Sequence, residues 1–218
     1  MIRIVVADDH AIVREGLRQL LAVAGGLDVV GEAQNGHEVM QRVRAFDFNL
    51  LLLDMSMPGK SGIELIKQVH AEKPKLRILV LSMHEEHQYA VRAIRAGASG
   101  YLTKEGAFAQ LVEAIRKVAG GGACISTQVA EQLALGAMPD ARRALHETLS
   151  DREFQVFRLI AEGKSVTDIA QLLGLSVKTV STHKTNILQK MNMETAGEVI
   201  RYAITHRLVG NGEGTASS

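Results

Sequence analysis

Up to about residue 120 the chain alternates short apolar runs with stretches whose apolar residues recur at helical spacing. The runs cover 2–7, 27–33, 50–54, 77–82 and 100–104. Between them, Val13, Leu17, Leu20 and Leu21 mark a first helix stopped by Gly25 and Gly26, and Val39, Met40 and Val43 a second. Ile63, Ile66 and Val69 mark a third that ends near Pro74; residues 89–94, closed by Gly97, and 108–118 give two more. Leu50, Leu51, Leu52 and Leu53 stand in a row with no helical period, which is the pattern of a strand buried on both faces of a parallel sheet. Five βα units in strict alternation predict an α/β fold: a doubly wound parallel sheet with helices on both faces, in the flavodoxin-like order 2-1-3-4-5.

Past Gly120, Gly121 and Gly122 the pattern changes. Residues 127–135 predict a short helix running into Gly136 and Pro139, and the stretch to about 146 reads as a connector. Only helices follow. Ser150 with Glu153, Ser165 with Asp168, and Thr195 with Glu198 have capping spacing, Ser176 caps a further helix to about Met191, and Gly163 and Gly174 are stops. The expected organisation is an α/β domain over 1–120, a linker with a short helix over 121–146, a small all-α four-helix domain over 147–210, and a small, polar, disordered tail over 211–218.

Composition narrows the classes. Apolar residues make up 46% and charged residues 22%, so a sizeable core is expected. The formal net charge of +1 supplies no global attraction to nucleic acid or membrane, so such binding needs a local patch. Cys124 is the single cysteine, which excludes an internal disulfide and fits a reducing compartment. With neither a signal-peptide pattern nor an apolar run of membrane-spanning length, a soluble cytoplasmic protein is expected, with no membrane partner.

The chemistry gathers at strand ends. In the predicted order, Asp8 and Asp9 end the first strand, Asp54 the third, Ser82 the fourth and Lys104 the fifth, all at the edge where open α/β sheets bind ligands. Asp54 alone could equally cap a turn; the company it keeps favours a reactive role. Clustered carboxylates repel unless a cation sits among them, and hard oxygen donors suit Mg²⁺. Asp9 and Asp54 are the expected direct ligands, Asp8 a ligand through water, and the backbone carbonyl near Ser56 the remaining protein donor. One Asp54 oxygen stays free to attack a phosphoryl group, with Lys104 and Ser82 positioned to bind its oxygens.

Asp8, Asp9, Asp54 followed by Met57, Pro58 and Gly59, Ser82 and Lys104 resemble the conserved set of two-component receiver domains. The resemblance implies that Asp54 is the phosphoacceptor for a sensor histidine kinase, that Ser82 and Tyr101 are switch residues, and that Lys104 stabilises the phosphoryl group. It also implies that Ser56 and His84 tune dephosphorylation. Glu105 stands where many receivers have proline.

In the helical domain Ala170, Gly174 and Val180 fit a helix-turn-helix. Val177, Val180, Ile187, Leu188 and Met191 form an expected inward stripe. Lys178, Thr179, Ser181, Thr182, Thr185 and Gln189 are then candidate donors and acceptors for base edges, while Lys184 and Lys190 suit phosphates. The 176–190 stretch has three lysines and no acid. From Leu149 to Met191 the chain also resembles the LuxR-type DNA-binding domain, and with the receiver it resembles the NarL/FixJ-type response regulators. That likeness implies a homodimer on activation, inverted-repeat double-stranded DNA read in the major groove, and contact between DNA-binding domains around Val199 and Ala203. Ser181 stands where many relatives carry lysine, which shifts the expected specificity to Lys178, Thr182 and Thr185. The expected function is a phosphorylation-switched transcription regulator, not an enzyme. Two alternatives stay open: a DNA-binding regulator whose receiver is a phosphorylation-independent dimerisation module, and an aspartyl-phosphate phosphatase. The phosphatase would want an acid where Ser56 stands.

Overall fold

The computed structural model describes residues 1–57, 62–82, 87–135, 144–206 and 208, with the backbone alone for 87–88 and 105–109. Pro58, Gly59, His84, the 136–140 stretch, the 211–218 tail and the Glu105 side chain lie outside the described residues. The chain divides into two compact units, Met1–Pro139 and Asp140–Ser218.

In the first unit, five strands, β1 (Ile2–Ala7), β2 (Leu27–Ala33), β3 (Leu50–Asp54), β4 (Arg77–Ser82) and β5 (Gly100–Thr103), pair in parallel in the order β2-β1-β3-β4-β5. The helices are α1 (Ala11–Val23), α2 (Gly36–Ala45), α3 (Gly62–Glu72), α4 (His87–Arg95) and α5 (Lys104–Ala119). Successive strand residues point to opposite faces, so each leucine of β3 serves one of two cores. Leu51 and Leu53 join Val39, Val43, Ile63, Ile66 and Ala90 on the face of α2, α3 and α4. Leu50 and Leu52 join Leu17, Leu21, Leu111 and Ile115 on the face of α1 and α5. This double burial is why the run carries no polar residue before Asp54.

Two boundaries differ from the expected ones. Lys104 is the first residue of α5, not the last of β5, because Thr103 already has the extended backbone of a helix N-cap. The second difference is larger. Residues just past the glycine run do not leave the first unit: Cys124 forms a bridge with Gly100 on β5, and helix α6 (Thr127–Leu135) buries Val129 in the α2–α4 core.

The second unit is helical, as expected: a 3-10 turn (Leu145–Thr148), then α7 (Asp151–Ala161), α8 (Val166–Leu173), α9 (Val177–Met191) and α10 (Ala196–Thr205). Ser150–Glu153 and Ser165–Asp168 form complete capping boxes. The third is half of one: the Thr195 side chain accepts from the Glu198 amide, but the Glu198 carboxylate accepts from the Glu194 amide instead of the N-cap's own. Gly174 turns α8 into α9 with a φ of 62°, the left-handed region that glycine enters without a Cβ clash. Phe154, Phe157, Ile169, Val180, Ile187 and Met191 fill the core. None of the described helices is long and apolar enough to cross a membrane.

Candidate functional site

The strand order reverses between β1 and β3, and in this topology a ligand crevice opens there, beyond the strand ends. Asp8 follows β1 and Asp54 ends β3, so the two carboxylates meet at that point; both are buried, while Asp9 is half-buried. Lys104 reaches over from the start of α5, its Nζ 2.7 Å from Asp8 Oδ2 and 2.9 Å from Asp54 Oδ2. The aligned hydrogen bond goes to Asp8. Asp54 Oδ1 accepts from the Ser56 amide at 3.1 Å. Asp54 Oδ2 is a buried oxygen with the ammonium close by but no aligned hydrogen bond, and Asp9 Oδ1 is in the same position beside the His10 ring.

Burial pushes the Asp54 carboxyl above its ordinary value, by more than the Lys104 ammonium and the Ser56 amide pull it down. For Lys104 burial works against the charge, but the hydrogen bond to Asp8 and the close Asp54 carboxylate prevail and hold the ammonium above the ordinary lysine value. Lys104 therefore stays charged. Three carboxylates against one ammonium leave an excess of negative charge in a buried place, which disfavours the cluster unless a cation joins it.

One ligand atom from each of Asp8, Asp9, His10 and Asp54 can be chosen so that all four lie within 4.8 Å of one another. The carboxylate oxygens, two of them lacking aligned donors, fit a hard divalent cation such as Mg²⁺. Ser56 is exposed beside them. Ser82 is buried at the end of β4, opposite Thr103 in register. Tyr101, on β5, is also buried, and its amide donates to the Cys124 carbonyl at 2.8 Å. A cavity of about 540 Å³ is lined by Tyr101, Thr103, Cys124 and Val129 among others.

Two further residues join the site that the strand-end pattern does not point to. Arg14 is buried on α1, its guanidinium donating to the Asp8 carbonyl at 2.7 Å and to Glu32 at 3.0 Å. It shares the inward face with Leu17 and Leu21; a charged residue three positions before an inward leucine is the signal that could have found it. His10 places Nδ1 3.0 Å from Asp9 and 3.3 Å from Asp8, and its position directly after the acidic pair is the corresponding signal.

In the second unit α9 follows the glycine turn. Lys178, Thr179, Ser181, Thr182, Thr185 and Gln189 are exposed and Lys184 is half-buried. Among the described residues, Lys178 and Lys184 form no ion pair. Thr179 is taken into the N-cap, its hydroxyl 2.8 Å from that of Ser176. Lys190 lies 2.6 Å from the buried Glu153 of α7.

Two expected placements are corrected. Val177 does not join the inward stripe: it is 49% exposed, because as the first residue of α9 it precedes the turn that meets α7 and α8. Val199 and Ala203 do not offer a surface for another domain: both are buried inside their own unit, where α10 packs on α7. The large exposed apolar residue of α10 is Ile204.

Residues 4–116 match the model of the response regulator receiver domain, and residues 147–203 that of the bacterial regulatory proteins, luxR family. The chain is 36% identical over 210 residues to the response regulator GacA of Pseudomonas viridiflava, covering 96% of this chain and 98% of that one. It is 35% identical over 209 residues to the response regulator UvrY of Escherichia coli K12, covering 95% and 96%. Among solved structures it resembles RcsB from Salmonella enterica serovar Typhimurium bound to promoter rprA in the presence of the phosphomimetic BeF3-. That likeness has a TM-score of 0.65 and 30% identity, over 94% of this chain and 100% of the other.

Proposed function

This chain belongs to the two-component response regulators that join a receiver to a LuxR-type DNA-binding domain, and on that premise we propose that Asp54 accepts a phosphoryl group from a sensor histidine kinase and thereby switches DNA binding by α9. One observation carries the reading: a buried Asp54 oxygen without an aligned hydrogen bond stands at the end of β3, close to Asp8 and Asp9 and 2.9 Å from the Lys104 ammonium. A carboxylate so placed is desolvated, which strengthens it as a nucleophile, and it faces cationic charge that can receive the phosphoryl oxygens.

In the step itself an Asp54 oxygen forms a bond to phosphorus while the donor's phosphorus–nitrogen bond breaks and the donor imidazole leaves. Lys104 holds the phosphoryl oxygens, and Ser82 donates a hydrogen bond to them. Asp8, Asp9 and Asp54, with the backbone carbonyl near Ser56, would hold Mg²⁺, which when bound neutralises charge developing on the phosphoryl oxygens. The signal leaves through β5. Tyr101 sits beside the cavity, which gives its ring room to move, and its amide is bonded to the segment leading to α6, so a shift at Ser82 and Tyr101 reaches the connector directly.

In the second unit, Lys178 and Lys184 meet phosphates or base edges in the major groove, and Ser181, Thr182 and Thr185 lie along the reading face. Lys190 is the exception, since its ammonium is engaged by Glu153. Activation as a homodimer on inverted-repeat DNA follows from the family likeness, and its dimeric, DNA-bound part is in line with a solved structure of two RcsB dimers bound to two parallel DNAs, 30% identical with a TM-score of 0.57.

The test is the intact mass of wild type and Asp54→Asn after incubation with Mg²⁺ and a small acyl-phosphate donor. A single phosphoryl adduct on wild type alone is expected, and treated wild type should then bind duplex DNA more tightly at fixed salt while Asp54→Asn does not respond. An adduct on both proteins would move the acceptor elsewhere. DNA affinity indifferent to the adduct would favour a receiver that serves as a passive dimerisation module.

A further inference from the structure

The exposed face of α9 looks polar in sequence, yet the hydroxyl protons of Thr182 and Thr185 are already spent. Thr182 Oγ1 donates to the Lys178 carbonyl at 3.0 Å, and Thr185 Oγ1 donates to the Ser181 carbonyl at 3.1 Å. Each bonds back to the helix one turn earlier, as threonines in helices do. A hydroxyl has one proton. What these exposed side chains still offer is a methyl group and an oxygen lone pair, not a donor. Thr179, whose hydroxyl faces that of Ser176, is held in the N-cap.

Val177 adds a purely apolar group at the same end. It is the first residue of α9 and 49% exposed. Single exposed apolar residues are ordinary, but this one stands at the N-terminal end of a helix-turn-helix second helix, the part that faces base edges when such a helix enters the major groove. Val177, Ser181 and Thr185 are spaced i, i+4, i+8 and so form one row along the helix; Lys178 and Thr182 form the neighbouring row. Val177 and the two threonine methyl groups thus lie on the face that carries Lys178.

We propose that α9 selects its site through thymine methyl groups, with Val177 and the Cγ2 atoms of Thr182 and Thr185 as the contacts. This rests on the reading of α9 as the DNA-recognition helix and goes beyond it by naming what is read. In the major groove only thymine presents a C5 methyl, and an aliphatic or threonine methyl is the group that packs on it. A face relying on hydroxyl donors would instead seek the acceptors of guanine, adenine or thymine O4, and uracil, which keeps O4, would bind such a face as well as thymine does. Here Lys178 and Ser181 keep that capacity, so a mixed site is expected in which thymines carry a large share of the discrimination.

The experiment begins with a pool of duplexes randomised over a central segment. The pool is bound to the acyl-phosphate-treated full chain at fixed salt, and the enriched sequence is recovered. That duplex is then resynthesised with uracil replacing single thymines, which removes the methyl and leaves every hydrogen-bonding group in place. Removing one contacted methyl should weaken binding about fourfold. Val177→Ala, Thr182→Ser and Thr185→Ser should each abolish the penalty at one position and leave it at the others. That coupling is one a merely structural role would not produce. Unchanged affinity for uracil at all enriched thymines would overturn the proposal, as would variants that lose affinity equally on thymine and uracil duplexes. Salt-dependent binding with no enriched sequence would also overturn it, while leaving the DNA-binding reading intact. Failure to bind any duplex would remove both.

Discussion

Lys178, Lys184 and Lys190 are alike in the sequence and differ in their surroundings. Lys190 is 44% exposed along its side chain and lies 2.6 Å from a Glu153 carboxylate that is nearly fully buried and also accepts from the Ser150 amide. The pair ties the last turn of α9 to the first turn of α7. Lys190→Met should therefore strand a buried carboxylate and cost the second unit roughly 1–2 kcal/mol, between the values for surface and buried pairs. The same change should leave the salt dependence of DNA binding as it was, whereas Lys184→Met should reduce the log–log salt slope by about 1. Urea titration and binding at several salt concentrations check both halves, and a reduced slope for Lys190→Met would return that residue to the phosphate contacts. At this scale the sequence was legible where the role is local. The Ser150–Glu153 capping box needs three residues of spacing, and the acidic residues at strand ends need only the strand periodicity. It was illegible where the partner comes from packing: the Glu153–Lys190 pair spans 37 residues, and the exposure of Val177 depends on where α9 meets its neighbours.

Elements were read well because most of them announce themselves twice, by period and by punctuation. The β3 leucines have no helical period and end at a turn, and α8 begins at a capping box and ends at Gly174. The connector was the exception. Its glycines said that α5 stops, but nothing in the period of two or of 3.6 residues reveals that Cys124 bridges β5, since one bridge is too short to leave a pattern. The trace lies in Gly100 instead. A Cβ there would stand 2.8 Å from Leu79 Cδ1, 3.0 Å from the Cys124 carbonyl and 3.1 Å from Cys124 Cβ, so the strand needs glycine for the connector to approach. Gly100→Ala should force that segment outward, at a cost of about 1–3 kcal/mol. The hydrogen bond from the Tyr101 amide to Cys124 should then lengthen, and hydrogen exchange at that amide should quicken while the amides of β3 keep their protection. If Tyr101 exchanged as slowly as in wild type, the Leu79 side chain would have yielded and the connector stayed in place.

For the molecule as a whole, the net charge of +1 hides an unequal distribution of acid sensitivity between the two units. Among the described residues of Met1–Pro139 the carboxyls held below their ordinary values by arginine or lysine partners are Glu15, Asp47 and Glu72, all at the surface, where solvent screens such pairs and their contribution to stability is small. Among the described residues of Asp140–Ser218 lysine does this for Glu153, buried in the packing between α7 and α9, while Asp168, held down by Ser165, lies at the surface. Burial alone would raise the Glu153 carboxyl, but the bonds from Lys190 and Ser150 outweigh it and hold it below the ordinary value of 4.5. An acid whose folded value is depressed stabilises the fold fully above its unfolded value, and the contribution disappears as pH falls through the folded one. The second unit should therefore weaken as pH drops below about 4.5 by more than the first. Hydrogen exchange followed through a urea series at pH 6 and pH 4 reads each unit independently. Glu153→Gln should lower the neutral-pH stability of the second unit and flatten its acid dependence. Were the first unit to lose as much stability as the second between pH 6 and pH 4, or were Glu153→Gln as acid-sensitive as wild type, the buried glutamate would not be what makes the second unit weaker in acid.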